Sequence, residues 1–270
     1  AGLDERVAAF RNRTLGHTEF PYVYLDAIYV HVRDDALGQV VSRAIVVATG
    51  VTAQGGREVL GVDVGDSEAE TFWTAFLRSL KARGLSGVRL VISDAHEGLR
   101  AAIRKTLQGS TWQRCRVHYV RNLLAPVPKA SQEMVAAAFR SIFTLTTPDD
   151  VAARWDEVAV MLAERFPKAA ALMNGAKFDV LAFTAFPREH WRQIWSNNPL
   201  ERLNKEIRRR TAVVGIFPND PAVIRLVGAV LADQHDEWAV ARRYFSEASM
   251  AKLYTRDTDP AVTAELEPGT

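Results

Sequence analysis

The chain has a single cysteine in 270 residues. That excludes an internal disulfide framework and any zinc site built from cysteines alone, and it fits a reducing, cytoplasmic setting. Long apolar runs are missing too: none reaches the ~18 residues that would suggest a membrane span. The opening stretch, AGLDERVAAFRNRT, lacks the apolar core of a signal peptide and an initiator methionine, as expected of a fragment or a processed chain. Net charge is small, at +2, and there is no convincing internal repeat, so neither charge nor periodicity names a partner. What is abundant is apolar residues, at 48%, enough for a substantial core. Of the 34 basic residues 27 are arginine. Arginine suits bidentate phosphate contacts, although a GC-rich genome raises its use everywhere.

Three apolar, β-branched runs come first, at 22–32, 40–51 and 58–65, joined by DDALGQ and TAQGGR. Turn residues in both connectors predict a three-stranded antiparallel meander. SEAETFWTAFLRSLKARG spaces Phe72, Phe76, Leu77 and Leu80 as a helix does, and Gly84 can stop it. VRLVISD (88–94) reads as a buried parallel strand, HEGLRAAIRKTL as its following helix, and TWQRCRVHYV (111–120) as one more strand. The expected units are a helical lead-in at 1–20, an α/β core at 21–120, an all-α insertion at 121–190 and the rest of the core at 191–252. One helix is expected from Pro221 to about Lys252, then a polar, disordered tail at 253–270.

Three acidic residues stand out. Asp26 sits within the most apolar run, which reads as a central strand covered on both faces. A carboxylate there is costly unless it is paired or binds a metal. Asp94 ends the fourth strand, where α/β sheets place ligands. It also begins D-x-x-E with Glu97, a capping-box pattern, so helix cap and catalytic carboxylate are both open. The third is in WSNNPLERLNKEIRRRT. On a helix at ~100° per residue, Leu200, Leu203 and Ile207 form the core stripe. Glu201, Asn204, Lys205 and Arg208 form the next stripe, while Glu206 faces Arg202, Arg209 and Arg210. Glu206 thus reads as a surface ion-pair residue, and Glu201 as a candidate near a metal-bound phosphate. A carboxylate in the first strand, one ending the fourth and one on a later helix matches the ribonuclease H-like arrangement. There, converging carboxylates hold two divalent metals for in-line displacement at phosphorus, and Mg²⁺ prefers such oxygen ligands, with Mn²⁺ as a substitute.

YLDAIYV, VISDAHEGL, WQRCRVHYVRNL and WSNNPLERLNKEIRRRTAVVGIFPN together resemble the Mutator-type DDE transposases of bacterial insertion sequences, over roughly residues 1–245. The resemblance implies a ribonuclease H-like α/β fold interrupted by the helical insertion, with Asp26, Asp94 and Glu201 as catalytic metal ligands. It also implies Mg²⁺-dependent cleavage at terminal inverted repeats and joining of 3′ ends to target DNA, with double-stranded DNA as partner and a homodimer in the DNA complex. Family members run longer at the N-terminus, where an end-binding region sits. Cys115 and His118 fit the family's C-x-x-H feature: a histidine near the scissile phosphate, the start of a zinc site, or a buried cysteine with a packing histidine. His96 could contact phosphate or merely flank a helix. Trp191 and Trp195 could stack on an unpaired base or fill the core. Arg114, Arg116, Arg121, Arg209 and Arg210, with Lys205 and Arg208, are the expected cationic DNA surface. The alternatives are a ribonuclease H-like nuclease that does not join strands and a catalytically silent DNA-binding regulator.

Overall fold

In the computed structural model, residues 2–66 and 69–255 are described. Helix α1 (Leu3–Asn12) leads into the expected meander: β1 (Tyr22–Asp34), β2 (Gln39–Val51) and β3 (Arg57–Gly65). β2 pairs antiparallel with β1 over its full length and with β3 from Ala44 onward. Helix α2 (Glu70–Ala82) follows and stops where Gly84 takes a left-handed φ of 104°. Any side chain at Gly84 would meet the backbone of Gly16 at 2.6 Å, so the stop also depends on close approach. Then come β4 (Leu90–Ser93), α3 (Glu97–Thr106) and β5 (Thr111–Arg114). β4 runs parallel to β1 and β5 parallel to β4, giving a mixed sheet in the order β3-β2-β1-β4-β5.

The strand expected to reach residue 120 ends at Arg114, and α4 (Arg116–Leu124) begins two residues later. Val117, Tyr119 and Val120 favour a strand locally. Helical spacing instead buries Tyr119 and Leu123 together, and Tyr119 enters an aromatic cluster with Phe139 and Trp155. From there to residue 214 the described regular elements are helical: α5 (Gln132–Ile142), α6 (Pro148–Ala163), α7 (Pro167–Leu181), α8 (Trp191–Ile194), α9 (Asn198–Val214) and short 3₁₀ turns. Thr147 starts α6 by accepting the Asp150 N–H, with Pro148 in the first turn. β6 (Ile216–Phe217) returns to the sheet, pairing parallel with β1 at His31 and Val32.

The single last helix expected from Pro221 is two helices, α10 (Asp220–Val240) and α11 (Glu247–Thr255). At Ala241 the backbone turns extended. The N–H groups of Tyr244 and Phe245 then donate to the Gly55 carbonyl, and Phe245 is buried. Burying a phenylalanine is worth roughly 1.5–3 kcal/mol, more than a turn of exposed helix offers. The expected tail lies outside the described residues except for 253–255, which belong to α11.

Each sheet face has its own core. Val23, Leu25, Val46 and Leu60 face α2 and α3, packing with Trp73, Phe76 and Ile103. Tyr22, Tyr24, Ile28, Ile45 and Val47 face the later helices and join one continuous cluster with Trp155, Trp191 and Leu203. The helices between β5 and α9 therefore share their core with the sheet. Among the described residues no helix is long and apolar enough to cross a membrane.

Candidate active site

β1 is longer than β4 and β6, and that length creates the site. One edge is filled by β2. The other edge is paired by β4 only from Tyr22 to Tyr24 and by β6 only at His31 and Val32. Asp26 lies in the gap. Continuing the β1–β4 register beyond Tyr24↔Ile92 sets Asp26 beside Asp94, and continuing β4–β5 beyond Ser93↔Arg114 sets Asp94 beside Cys115. Asp94 and Cys115 follow the C-terminal ends of β4 and β5, the usual ligand position in such sheets, and Asp26 lies beside them within β1.

Asp26 accepts the Ala27 N–H at 3.0 Å and the Asn204 side-chain amide at 2.5 Å. Burial pushes its carboxyl up, against the lowering pull of His118, the Ala27 N–H, Asn204 and Arg208. Asp94 is half exposed and accepts the Ala95 N–H at 2.7 Å. It does not cap α3: that role falls to His96, whose Nδ1 accepts the Leu99 N–H. The capping-box reading of Asp94 is thereby corrected, and His96 is engaged as a cap. Asp94 instead stands 4.0 Å from His118 Nδ1, an ion-pair distance. The Cys115 side chain raises the His118 imidazole most; burial opposes it, and the Asp94 and Asp26 carboxylates add to the rise, to about 8. Cys115 is buried, and its sulfur accepts the Asn197 N–H at 3.3 Å.

The third element is α9, which begins at Asn198, after a separate short helix carrying Trp191. Leu200, Leu203 and Ile207 are buried, as the stripe requires. Glu201 is exposed and lines a small cavity together with Asp26, His118, Asn204, Arg121 and Arg208. An adjoining cavity of about 180 Å³ is lined by Asp26, Asp94, His96, His118 and Arg208. Asp26 thus meets Asp94 in one cavity and Glu201 in the other. Among the described residues no group of three His, Cys, Asp and Glu side chains stands ready to hold a metal ion.

Several expected contacts lie elsewhere. Lys205 lines a separate groove between α9 and α10 with Arg202, Arg209 and Arg210. Arg209 and Arg210 both bind Glu206, holding it well below the usual carboxylate range, at about 2. Arg114 packs over Tyr119 at 4.8 Å, and Arg116 over Trp195 at 3.9 Å. Burial lowers the Arg116 guanidinium to about 10. Both arginines are engaged in packing, and Arg121 and Arg208 are the arginines that line the cavities. Trp191 and Trp195 are buried, 2% and 7% exposed, in edge contacts with Phe183, and offer no face to a base.

One residue escaped the sequence reading. Asn197, 4% exposed, donates its side-chain amide to the Leu25 carbonyl, beside Asp26 in the strand gap. With its N–H on Cys115 it ties β1 to the start of α4. The buried Oδ1 atoms of Asn197 and Asn204 have no hydrogen-bond partner among the described residues. The only signal was two adjacent asparagines before a helix-starting proline, which alone reads as a cap.

The geometry defines an α/β protein with a mixed sheet, in which two aspartates line one cavity beside an arginine-bearing helix. Residues 1–241 match the family model described as transposase, Mutator family. The chain is 52% identical over 242 residues to the transposase for insertion sequence element IS1081 of Mycobacterium tuberculosis, covering 90% of this chain and 58% of that protein. It is 41% identical over 247 residues to the transposase for IS406 of Burkholderia multivorans, covering 91% and 63%. Identity is 37% over 248 residues to the transposase for IS256 in transposon Tn4001 of Staphylococcus aureus, covering 90% and 62%. This chain belongs to the Mutator family of transposases, and it spans about three-fifths of the length of these relatives.

Proposed function

We propose that this chain carries the phosphoryl-transfer centre of a DNA transposase, on a sheet of ribonuclease H-like arrangement. It would cleave DNA at an element's terminal inverted repeats and join the 3′ ends to target DNA, as a homodimer in the DNA complex. The observation that supports this reading is that Asp26 lines one cavity with Asp94 and an adjoining one with Glu201.

The donor chemistry fits a hard divalent cation. Asp26, Asp94 and Glu201 offer oxygens only, and a nearby cation would offset the burial that raises the Asp26 carboxyl. These three residues would hold Mg²⁺, or Mn²⁺ in its stead. When bound, the ion supplies Lewis-acid polarisation of phosphoryl oxygens and neutralises charge at the leaving oxygen. The chain's own residues do the rest. Asn204 fixes one Asp26 oxygen and so its orientation. His118, whose imidazole Cys115 and the nearby carboxylates raise, lines both cavities with Arg208, while Arg121 lines the smaller one, and all three would attract phosphate oxygens. Asn197 keeps the strand gap in register.

The test is a strand-transfer assay with pre-cleaved inverted-repeat ends in Mg²⁺. Products longer than the substrate support a transposase. Shorter products alone mean a nuclease, and a bound but unchanged substrate means a DNA-binding regulator.

A further inference from the structure

Arg116 is a cation in an unfavourable place. It opens α4 at the positive end of the helix, and the first turn holds no acid. The residue is half-buried: burial lowers the guanidinium, Cys115 raises it in part, and the charge of nearby Arg192 lowers it again. Among the described residues no carboxylate pairs with Arg116, nor with Arg192, which is exposed on α8. A partly desolvated cation beside a like charge costs free energy unless an anion answers it. The guanidinium is nevertheless held. It lies over the Trp195 ring at 3.9 Å and the Phe143 ring at 4.7 Å, and the Arg116 backbone N–H donates to the Trp195 carbonyl at 3.0 Å. Ring contacts of this kind position a guanidinium and take none of its five N–H donors. Arg114, packed over Tyr119, has its Nε shut in without a partner, whereas no nitrogen of Arg116 is shut in that way. The rings therefore fix the fork and leave its edge for a ligand, and a fork already fixed loses little freedom on binding.

We propose that the edge of Arg116, with Arg192 beside it, seats a phosphate group of the DNA backbone, apart from the two acidic cavities, neither of which Arg116 lines. The inference rests on the DNA reading above and names a second point at which the strand is held. Two guanidinium groups without an acid suit phosphate oxygens, which take two parallel N–H bonds from one arginine. A lysine in place of Arg116 keeps the charge and loses the fork. A phosphate seat positions the strand and reads no base, so it acts on every sequence alike.

The test follows the Arg116 Nε–H resonance by NMR, assigned by its loss in Arg116→Lys, while the full chain is titrated with a DNA duplex or with inorganic phosphate. The duplex should shift the resonance. Duplex affinity is also measured at several salt concentrations, where Arg192→Gln should reduce the salt slope by about one counterion. Arg116→Lys should keep the slope and bind roughly tenfold more weakly, whatever the sequence. Arg225→Gln, which removes an arginine already paired with Asp4 at 3.0 Å, should change neither. Arg192 is exposed, so its variant tests the seat even where Arg116→Lys fails to fold. A shift with inorganic phosphate and none with the duplex would assign the seat to free phosphate and overturn the backbone assignment. No shift with either, or an unchanged slope in Arg192→Gln, overturns the seat and leaves the DNA reading standing. A wild-type chain that binds no duplex at any salt concentration overturns both.

Discussion

Glu201 and Glu206 lie on the same helix and differ in what surrounds them. Glu206, in the middle of α9, is held by both Arg209 and Arg210. Glu201, in the first turn, has no ion pair among the described residues and lines a cavity with Asp26. Between them Asn204 turns inward to the Asp26 carboxylate. The first half of the helix leaves a carboxylate uncommitted beside another that is half desolvated. The second half neutralises its own. One carboxylate thus faces a cavity, and the other is closed by two guanidinium groups. The contrast can be broken by exchanging what each half is asked to do.

The largest expected effect is on activity. Glu201→Gln or Asp26→Asn should lower cleavage and joining roughly a thousandfold or more, as for loss of one group from a cooperating set. Glu206→Gln should keep activity within about threefold, because exposed ion pairs contribute little. Equal losses from Glu201→Gln and Glu206→Gln in chains that melt alike would erase the contrast. Stability should divide the other way along the helix. Asn204→Leu leaves the Asp26 carboxylate buried without its amide donor and should cost about 1–3 kcal/mol in urea denaturation. Replacing Asp26 by Asn in the same chain should return part of that loss.

Smaller effects sharpen the picture. If Arg209 or Arg210 reaches phosphate, neutralising either should reduce the salt slope of DNA binding by about one counterion. An unchanged slope would confine both to holding Glu206. The smallest effect is acid sensitivity. Glu206 is depressed to about 2 from its ordinary 4.5, so its ion pairs act fully above pH 4.5 and are lost as the pH falls toward about 2. A carboxyl titration followed by NMR should find that midpoint in the intact chain and a normal one after Arg209→Gln with Arg210→Gln. Added salt should shrink the difference.

Much of the architecture was legible because burial left a periodic trace. The meander, α2 and β4 announce themselves by alternating or continuous apolar runs between turn residues. The leucine stripe of α9 was visible for the same reason, and so was the pairing of Glu206 with arginines. Two readings failed where tertiary contacts outweighed local preference. Val117 and Val120 suggested a strand, but Tyr119 and Leu123 gain a shared aromatic core only as a helix. No glycine or proline announces the break after Val240, because the break is set by Phe245 docking on Gly55. Asp26 and Asp94 stood out in the sequence by their unlikely settings in or at the end of apolar runs. Asn197 did not, since its partner is the Leu25 carbonyl, 172 residues away. The tryptophans stayed open between base and core, because aromatic residues near a charged helix look alike in sequence whether they face solvent or the interior, and both are buried.

The bond between Asn204 and Asp26 spans 178 residues, and this has a consequence in time. Ribosomes add about 5–20 residues per second. Asp26 therefore leaves the ribosome roughly 10–40 s before the amide that will orient it, and β1 waits equally long for α9 to cover one of its faces. During that interval a nascent chain presents one apolar strand face without the cover of α9 and a carboxylate without its amide donor. The order around Asp26 arrives late, with the emergence of the helix that starts at Asn198.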